Sequence, residues 1–350
     1  MLPTRQKVLR RFWYAVMPMS DLGEGPKPFT LLGEKIVLFR DAEGKPVALQ
    51  DRCAHRTARL SAGRIINGNV ACAYHGWEFN REGTCVRMPQ LQEPERTGSF
   101  RIPAYHCTER YGQLWVCLGD PIADIPAIPH FGEAGWRCIH ERCDVWDTAA
   151  LRIIENAFDN AHFSYVHEQS FGFADRPEPA PLALRPTEWG FIMDSTVPVR
   201  NTDDLTRAVN IKSAKELDRV YEKEWLMPFS VRMTLSYANG LKHIIVAWIV
   251  PVDDKRTLFN QFVLRNDTEA DSPAADVIAW DMKVTNEDRA ILETTDWDVP
   301  LNTRSGEERN MPIDRPGIEL RRRLLKLLQD HGEREVRRDE PGWTAAAANG

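Results

Sequence analysis

Two short stretches of this 350-residue chain pair a thiol with an imidazole. Cys53-Ala54-His55 is followed, sixteen residues on, by Cys72-Ala73-Tyr74-His75. If both pairs sit at the tips of neighbouring hairpins, two soft thiolates and two neutral imidazoles converge on one point. Two chemistries use such a set. One is structural zinc, which takes a tetrahedral shell of sulfur and nitrogen. The other is a [2Fe–2S] centre in which two cysteines hold one iron and two histidines hold the other. Zinc-finger pairs more often join Cys with Cys and His with His, whereas each pair here offers one ligand of each kind. That mixed spacing favours the diiron centre. Neutral imidazole in place of thiolate removes negative charge and raises the potential, which suits an electron donor.

A second group lies in residues 155–167. At about 100° per residue, Asp159 and His162 are one turn apart on one helical face. His167 falls five residues beyond His162, about 140° further round, so both rings reach one ion only if the helix ends or distorts near Ser164. Two imidazoles with one carboxylate make the facial triad of ferrous iron, which leaves positions open for dioxygen. Taken alone, two such histidines are more often core or surface residues. The carboxylate must come from elsewhere, and Asp281, Glu287, Asp288, Asp296 and Asp298 are the candidates.

The elements that must position these residues differ along the chain. The first third is β-rich. Residues 35–40, 46–50, 69–73, 77–80, 84–88 and 113–118 read as short strands with Gly-marked turns, the pattern of a small antiparallel barrel or sandwich. Residues 119–129 carry three prolines and form a boundary. Beyond them, residues 148–166 have helical spacing, residues 176–186 hold four prolines and read as an extended loop, and residues 188–265 again suggest strands. Residues 274–294 and the basic amphipathic stretch 318–331 read as helices, and 333–350 as a loose tail. The fold class is therefore α+β.

Composition excludes several other functions. Lys plus Arg is 45 against 51 Asp plus Glu, a net charge of −6, which lacks the basic surplus of a general nucleic-acid binder. The longest strongly apolar run, residues 244–250, is too short to span a bilayer, and no signal peptide is visible, so a cytoplasmic protein with no membrane partner is expected. Seven cysteines, an odd count without an export signal, argue against a disulfide scaffold. Cys85, Cys107, Cys117, Cys138 and Cys143 have no matching partners and read as small core hydrophobes.

The Cys53/His55 and Cys72/His75 pairs, with Gly76-Trp77 following, resemble the Rieske domain of the non-haem iron oxygenases. Asp159, His162 and His167 match that family's D-x-x-H-x4-H pattern. Residues 286–293 resemble its late helix, in which the Asp of a Glu-Asp pair binds iron. The resemblance covers nearly the whole chain, and length and layout are similar to the oxygenase components (alpha subunits) of dicamba and vanillate demethylases. Residues 111–121 are also similar to the saxitoxin-pathway hydroxylases.

The resemblance implies an all-β Rieske domain over residues 1–120. A catalytic domain with a curved antiparallel sheet and helices would occupy 121–350. It makes Cys53, His55, Cys72 and His75 the ligands of a [2Fe–2S] Rieske cluster, with Tyr74 and loop amides hydrogen-bonded to its sulfurs. His162, His167 and Asp288 become the ligands of a mononuclear Fe(II). Asp159 would join His162 to His75 of a neighbouring subunit in a head-to-tail homotrimer, coupling the two metals. Asn156, on the same side as Asp159, would support that network. Because no G-x-G-x-x-G junction and no plant-type ferredoxin Cys run occurs, a separate NAD(P)H-dependent reductase, with or without a ferredoxin, is implied.

The implied activity is a two-component monooxygenase. It would use O2 and reductase-delivered electrons to hydroxylate, or O- or N-demethylate, a small aromatic or heterocyclic substrate. Cis-dihydroxylation of a ring is the alternative within the enzyme class. An electron-transfer protein or a zinc-stabilised binding protein is the alternative outside it. Phe171, Phe173, Trp248 and Trp280 could line a substrate pocket, but they read more readily as plain core residues.

Overall fold

Alternation of apolar and polar residues in short runs produces strands wherever both faces can be covered. In the computed structural model, which describes residues 1–91, 98–212 and 215–338, this holds for most of the chain. The N-terminal part contains β1 (Tyr14–Pro18), β2 (Lys27–Leu31), β3 (Glu34–Arg40), β4 (Pro46–Gln50), β5 (Arg64–Ile66), β6 (Asn69–Ala71), β7 (Glu78–Phe79), β8 (Cys85–Arg87), β9 (Ala104–Arg110) and β10 (Gln113–Cys117). One sheet runs β1-β10-β9-β4-β3-β2 and a smaller one β5-β6-β7-β8, all neighbours antiparallel. Val37, Phe39, Leu49, Val70 and Phe79 form a shared core with Cys53 and Cys72.

The remainder holds a seven-stranded sheet in the order β11-β17-β16-β15-β14-β13-β12. Its strands are β11 (Arg137–Trp146), β12 (Leu182–Thr187), β13 (Gly190–Arg200), β14 (Glu216–Leu226), β15 (Ser230–Ser236), β16 (Lys242–Pro251) and β17 (Thr257–Arg265). Helices α1 (Ala150–Ala157), α2 (Phe163–Val166), α3 (Asp203–Val209), α4 (Ala274–Leu292) and α5 (Arg315–Asp330) complete it. The α+β class is observed. By contacts the chain divides into two units. One is Lys7–Ile125 with Val250–Asp253; the other takes Met1–Gln6, Pro126–Ile249 and the described residues from Asp254 on. Among the described residues no helix is long and apolar enough to cross a membrane.

Several expectations need correction. The expected helix over residues 148–166 stops at Ala157, resumes for one turn at Phe163, and so breaks well before Ser164. The proline-rich loop ends in β12, where Pro186 is opposite Phe191. An edge strand accepts proline because one of its sides needs no ladder bond. Helix α5 starts at Arg315, ahead of Pro316-Gly317, since a proline in the first turn forfeits no intrahelical bond. Of the unpartnered cysteines, Cys85 and Cys117 are buried, Cys107 and Cys143 partly so, and Cys138 is exposed. The expected tail is irregular over 333–338, and residues 339–350 lie outside the described residues.

Candidate metal centres

Two tight loops carry the first set of donors. The Cys53 N–H donates to the Ala58 carbonyl and the Thr57 N–H to the Cys53 carbonyl; the Cys72 N–H donates to Trp77 and the Gly76 N–H to Cys72. Gly76 is at φ +72°, and a Cβ there would also sit 3.0 Å from Pro89 Cγ, so the turn after His75 calls for glycine. Both thiols are buried, whereas His55 is exposed and His75 partly so. The imidazole centroids are 4.6 Å apart, and His55 stacks on Trp77 at 4.6 Å. The two thiols thus neighbour each other in the interior, and the two imidazoles neighbour each other nearer the surface. Burial pushes the Cys53 thiol upward and the neighbouring Cys72 thiol adds to the rise. Such thiols become thiolates when a cation takes the proton's place, which fits an iron–sulfur group held by two sulfurs and two surface imidazoles. Tyr74 is exposed, its ring 3.9 Å from that of His75.

The second set lies in the other unit. His162 and His167 bound the single turn of α2, one at each end. That geometry resolves the five-residue spacing: the two Nε2 atoms come within 3.3 Å. Asp288 Oδ1, from α4, is 3.4 Å from His162 Nε2 and 3.3 Å from His167 Nε2. The turn is backed by Gly172, whose N–H donates to the His167 carbonyl at 2.7 Å. A Cβ at 172 would meet the Phe163 carbonyl oxygen at 2.0 Å, so only glycine allows that approach.

His167 Nδ1 lies 2.7 Å from Glu287 Oε2, which also accepts from Ser170 Oγ at 2.7 Å. A carboxylate there holds the proton on Nδ1 and leaves Nε2 as a bare lone pair. Three lone-pair donors at these separations repel one another unless a cation lies among them. Two imidazoles and one carboxylate are the donor set that non-haem Fe(II) accepts. Burial would raise the Asp288 carboxyl, but the adjacent His162 and His167 rings outweigh it and hold it well below the usual carboxylate range. Burial would likewise lower the His167 imidazole, and Asp288 and Glu287 together reverse that.

The triad forms part of the wall of a largely apolar cavity beneath the sheet. Ile153, Phe163, Phe171, Met233, Ile245 and Trp280 contribute to the lining.

Both parts of the chain match known protein families. Residues 12–106 match the Rieske [2Fe-2S] domain, and residues 146–330, over half the chain, match the vanillate O-demethylase oxygenase C-terminal domain. The chain is a Rieske oxygenase alpha subunit. Methylxanthine N1-demethylase NdmA of Pseudomonas putida is 27% identical to the oxygenase over 342 residues, 94% of this chain and 92% of its own. The 3-chlorobenzoate-3,4-dioxygenase oxygenase subunit of Comamonas testosteroni is 26% identical over 363 residues, 96% and 78% of the respective chains. Dicamba monooxygenase bound to 3,6-dichlorosalicylic acid shares the fold, with a TM-score of 0.80 at 22% identity over 93% of this chain and 99% of that one. The family uses O2, a [2Fe–2S] Rieske cluster and mononuclear non-haem iron.

Other sequence candidates of the oxygenase sort cleanly. Asp159 Oδ2 is 3.6 Å from His162 Nδ1, which is buried and has no hydrogen-bond partner, while Asp159 Oδ1 accepts from the Ala161 N–H. Burial would raise the Asp159 carboxyl, but His162 outweighs it and lowers it. Asn156 Nδ2 donates to Asp288 Oδ1 at 3.0 Å, and its backbone carbonyl accepts from the Asp159 N–H at 3.2 Å. Of the alternative carboxylates, Glu287 supports His167, Asp281 pairs with His243 at 3.0 Å, and Asp298 binds Arg337 at 2.9 Å. The backbone carbonyl of Asp296 accepts from Arg152 Nε at 3.1 Å. Phe171 and Trp280 line the cavity; Phe173 lies under Arg176 and Trp248 is buried in the core.

Two cavity residues escaped sequence reasoning, Arg219 and Lys223. Both sit on β14, whose exposure alternates strictly from Glu216 to Lys223, and they share the buried face with Leu217, Tyr221 and Trp225. A cation at the same parity as aromatic and aliphatic residues is the signal that could have found them. Lys223 Nζ donates to the Ala157 carbonyl and to Asn160 Oδ1, both at 2.9 Å, at the break between α1 and α2. Burial pulls its ammonium down to about 7, against the attraction of Asp159 and Asp288.

Proposed function

We propose that this alpha subunit is a monooxygenase that hydroxylates, or O- or N-demethylates, a small aromatic or heterocyclic substrate. The observation that carries this is the convergence of three bare donors, from His162, His167 and Asp288, on an apolar cavity of molecular size. The groups expected to bind supply the redox chemistry: the cluster passes single electrons, and the ferrous site activates O2. The protein's own part is geometric. Glu287 keeps the His167 proton on Nδ1, Asn156 orients Asp288, and the aromatic wall excludes water and holds a ring beside the triad. Attack on a methyl C–H consumes O2, two electrons and two protons, and releases formaldehyde, water and the demethylated product.

In this proposal residues 1–120 form the Rieske domain and 121–350 the catalytic domain. Cys53, His55, Cys72 and His75 hold the cluster, and Asp159 links His162 to His75 of the next subunit of a homotrimer. Electrons come from an NAD(P)H-dependent reductase, directly or through a ferredoxin. The likeness to a 3,4-dioxygenase subunit supports a second reading, ring cis-dihydroxylation. Oxygen uptake with a surrogate reductase, screened over methylated aromatic and heterocyclic compounds, tests the proposal; uptake that no compound stimulates contradicts it. Labelled O2 separates the readings: one labelled atom in the oxidised product supports monooxygenation, two support dihydroxylation.

A further inference from the structure

Four buried cationic side chains stand out among the described residues: Arg219, Lys223, Arg265 and Arg321. Three are fully engaged. Lys223 donates to two oxygens, Arg265 binds Asp267 at 3.1 Å, and Arg321 binds Glu155 at 2.9 Å. Arg219 is different. Its Nη1 donates to Tyr221 Oη at 2.9 Å, but Nε and Nη2 have no partner. No carboxylate of the described residues lies within 4.0 Å of it. Its guanidinium instead packs over Phe171 at 4.8 Å and Tyr237 at 5.6 Å. Aromatic faces return only part of what a buried charge loses on leaving water.

The anions nearby are already committed. Asp288 faces the two triad histidines and Asp281 faces His243. The idle atoms Nε and Nη2 form the edge of the guanidinium that takes a carboxylate through two parallel hydrogen bonds. Arg219 lines the same cavity as the triad. The Phe171 ring under Arg219, 4.8 Å away, is itself 4.7 Å from the His167 ring, so the guanidinium lies no more than about 9.5 Å from that imidazole. One aromatic ring, with its reacting substituent at the far side from an anionic group, bridges such a span.

We infer that the substrate is an aromatic carboxylate, and that Arg219 anchors its carboxylate in the cavity that His162, His167 and Asp288 also line. This rests on the oxygenase proposal for the site but is tested without turnover. The holoenzyme is titrated calorimetrically with benzoate, 3-methoxybenzoate and 4-methoxybenzoate, and with the three corresponding neutral amides. At least one acid is expected to bind the wild type more tightly than its amide. Arg219→Met should weaken that acid by about 10- to 100-fold and leave the amide within about threefold. Arg219→Lys, a point charge without the fork, should fall between them. Cluster absorbance and iron content confirm that each variant is intact. Acid affinity unchanged in Arg219→Met, amides bound as tightly as acids by the wild type, or no acid bound at all would each overturn the inference. Oxygen uptake stimulated by neutral compounds alone would overturn it while sparing the oxygenase proposal. Acids that bind through Arg219 while no compound of any kind stimulates uptake would overturn the oxygenase proposal and leave only the carboxylate-binding role of Arg219.

Discussion

Replacing Glu287 by Gln tests how the second metal site is held. The side chain is isosteric, so packing around α4 is preserved. What changes is the acceptor below His167. In the native protein a carboxylate oxygen lies 2.7 Å from His167 Nδ1 and 2.7 Å from Ser170 Oγ. His167 is 1% exposed, so no water replaces that acceptor. A charge-assisted bond is roughly twice as strong as a neutral one. The amide also brings two donors into a place where both neighbours already donate. Loss of such support under a ligating imidazole typically costs about 10- to 100-fold in metal affinity, or about 1.4–2.7 kcal/mol. Competition for Fe(II) against a coloured chelator under argon measures it, with cluster absorbance as the control for folding. Affinity within twofold of wild type would refute the assignment of Glu287 as the group that sets the His167 tautomer. Equal loss of the cluster would show that the substitution disrupts more than this site.

Three further substitutions probe the rest. His162→Ala should lose mononuclear iron and keep the cluster spectrum, as metal analysis and visible absorption would report; loss of the cluster instead would contradict the separation of the two centres. Asp159→Asn should retain both metals and nearly abolish turnover, measured as oxygen uptake with an artificial reductase, and unimpaired turnover would remove Asp159 from the electron path. Gly172→Ala must move the Phe163 carbonyl by more than 1 Å to reach ordinary contact from 2.0 Å, and should lower Fe(II) affinity at least tenfold. Wild-type affinity in that variant would mean that the α2 turn does not depend on this approach.

Local spacing made the metal donors readable, and long-range contacts hid what surrounds them. Cys53, His55, Cys72 and His75 need only two hairpin turns to converge, and short β-rich runs announce those. The pairing of His162 with His167 was legible as a requirement that the helix distort, but not as the place where it does. The break at residues 158–162 contains neither Gly nor Pro. It is held by Lys223 from β14 and by Ser195 from β13, which bonds Asn160 at 3.1 Å. Neither contact leaves a mark in the local sequence. Choosing among five carboxylates likewise needed the phase of α4. Glu287 and Asp288 are neighbours, yet one meets Nδ1 and the other Nε2 of the same imidazole. Arg219 was open to view in the alternation of β14, but only once that segment was known to be a strand with one buried face.

The central claim is that one chain holds a mixed sulfur–imidazole diiron centre and a separate ferrous ion. Iron and acid-labile sulfide analysis of anaerobically isolated protein, with electron paramagnetic resonance after one-electron reduction, tests it most directly. About three irons and two sulfides per chain, with the low average g value of an imidazole-ligated cluster, are predicted. Stoichiometric zinc and no reducible signal would contradict it.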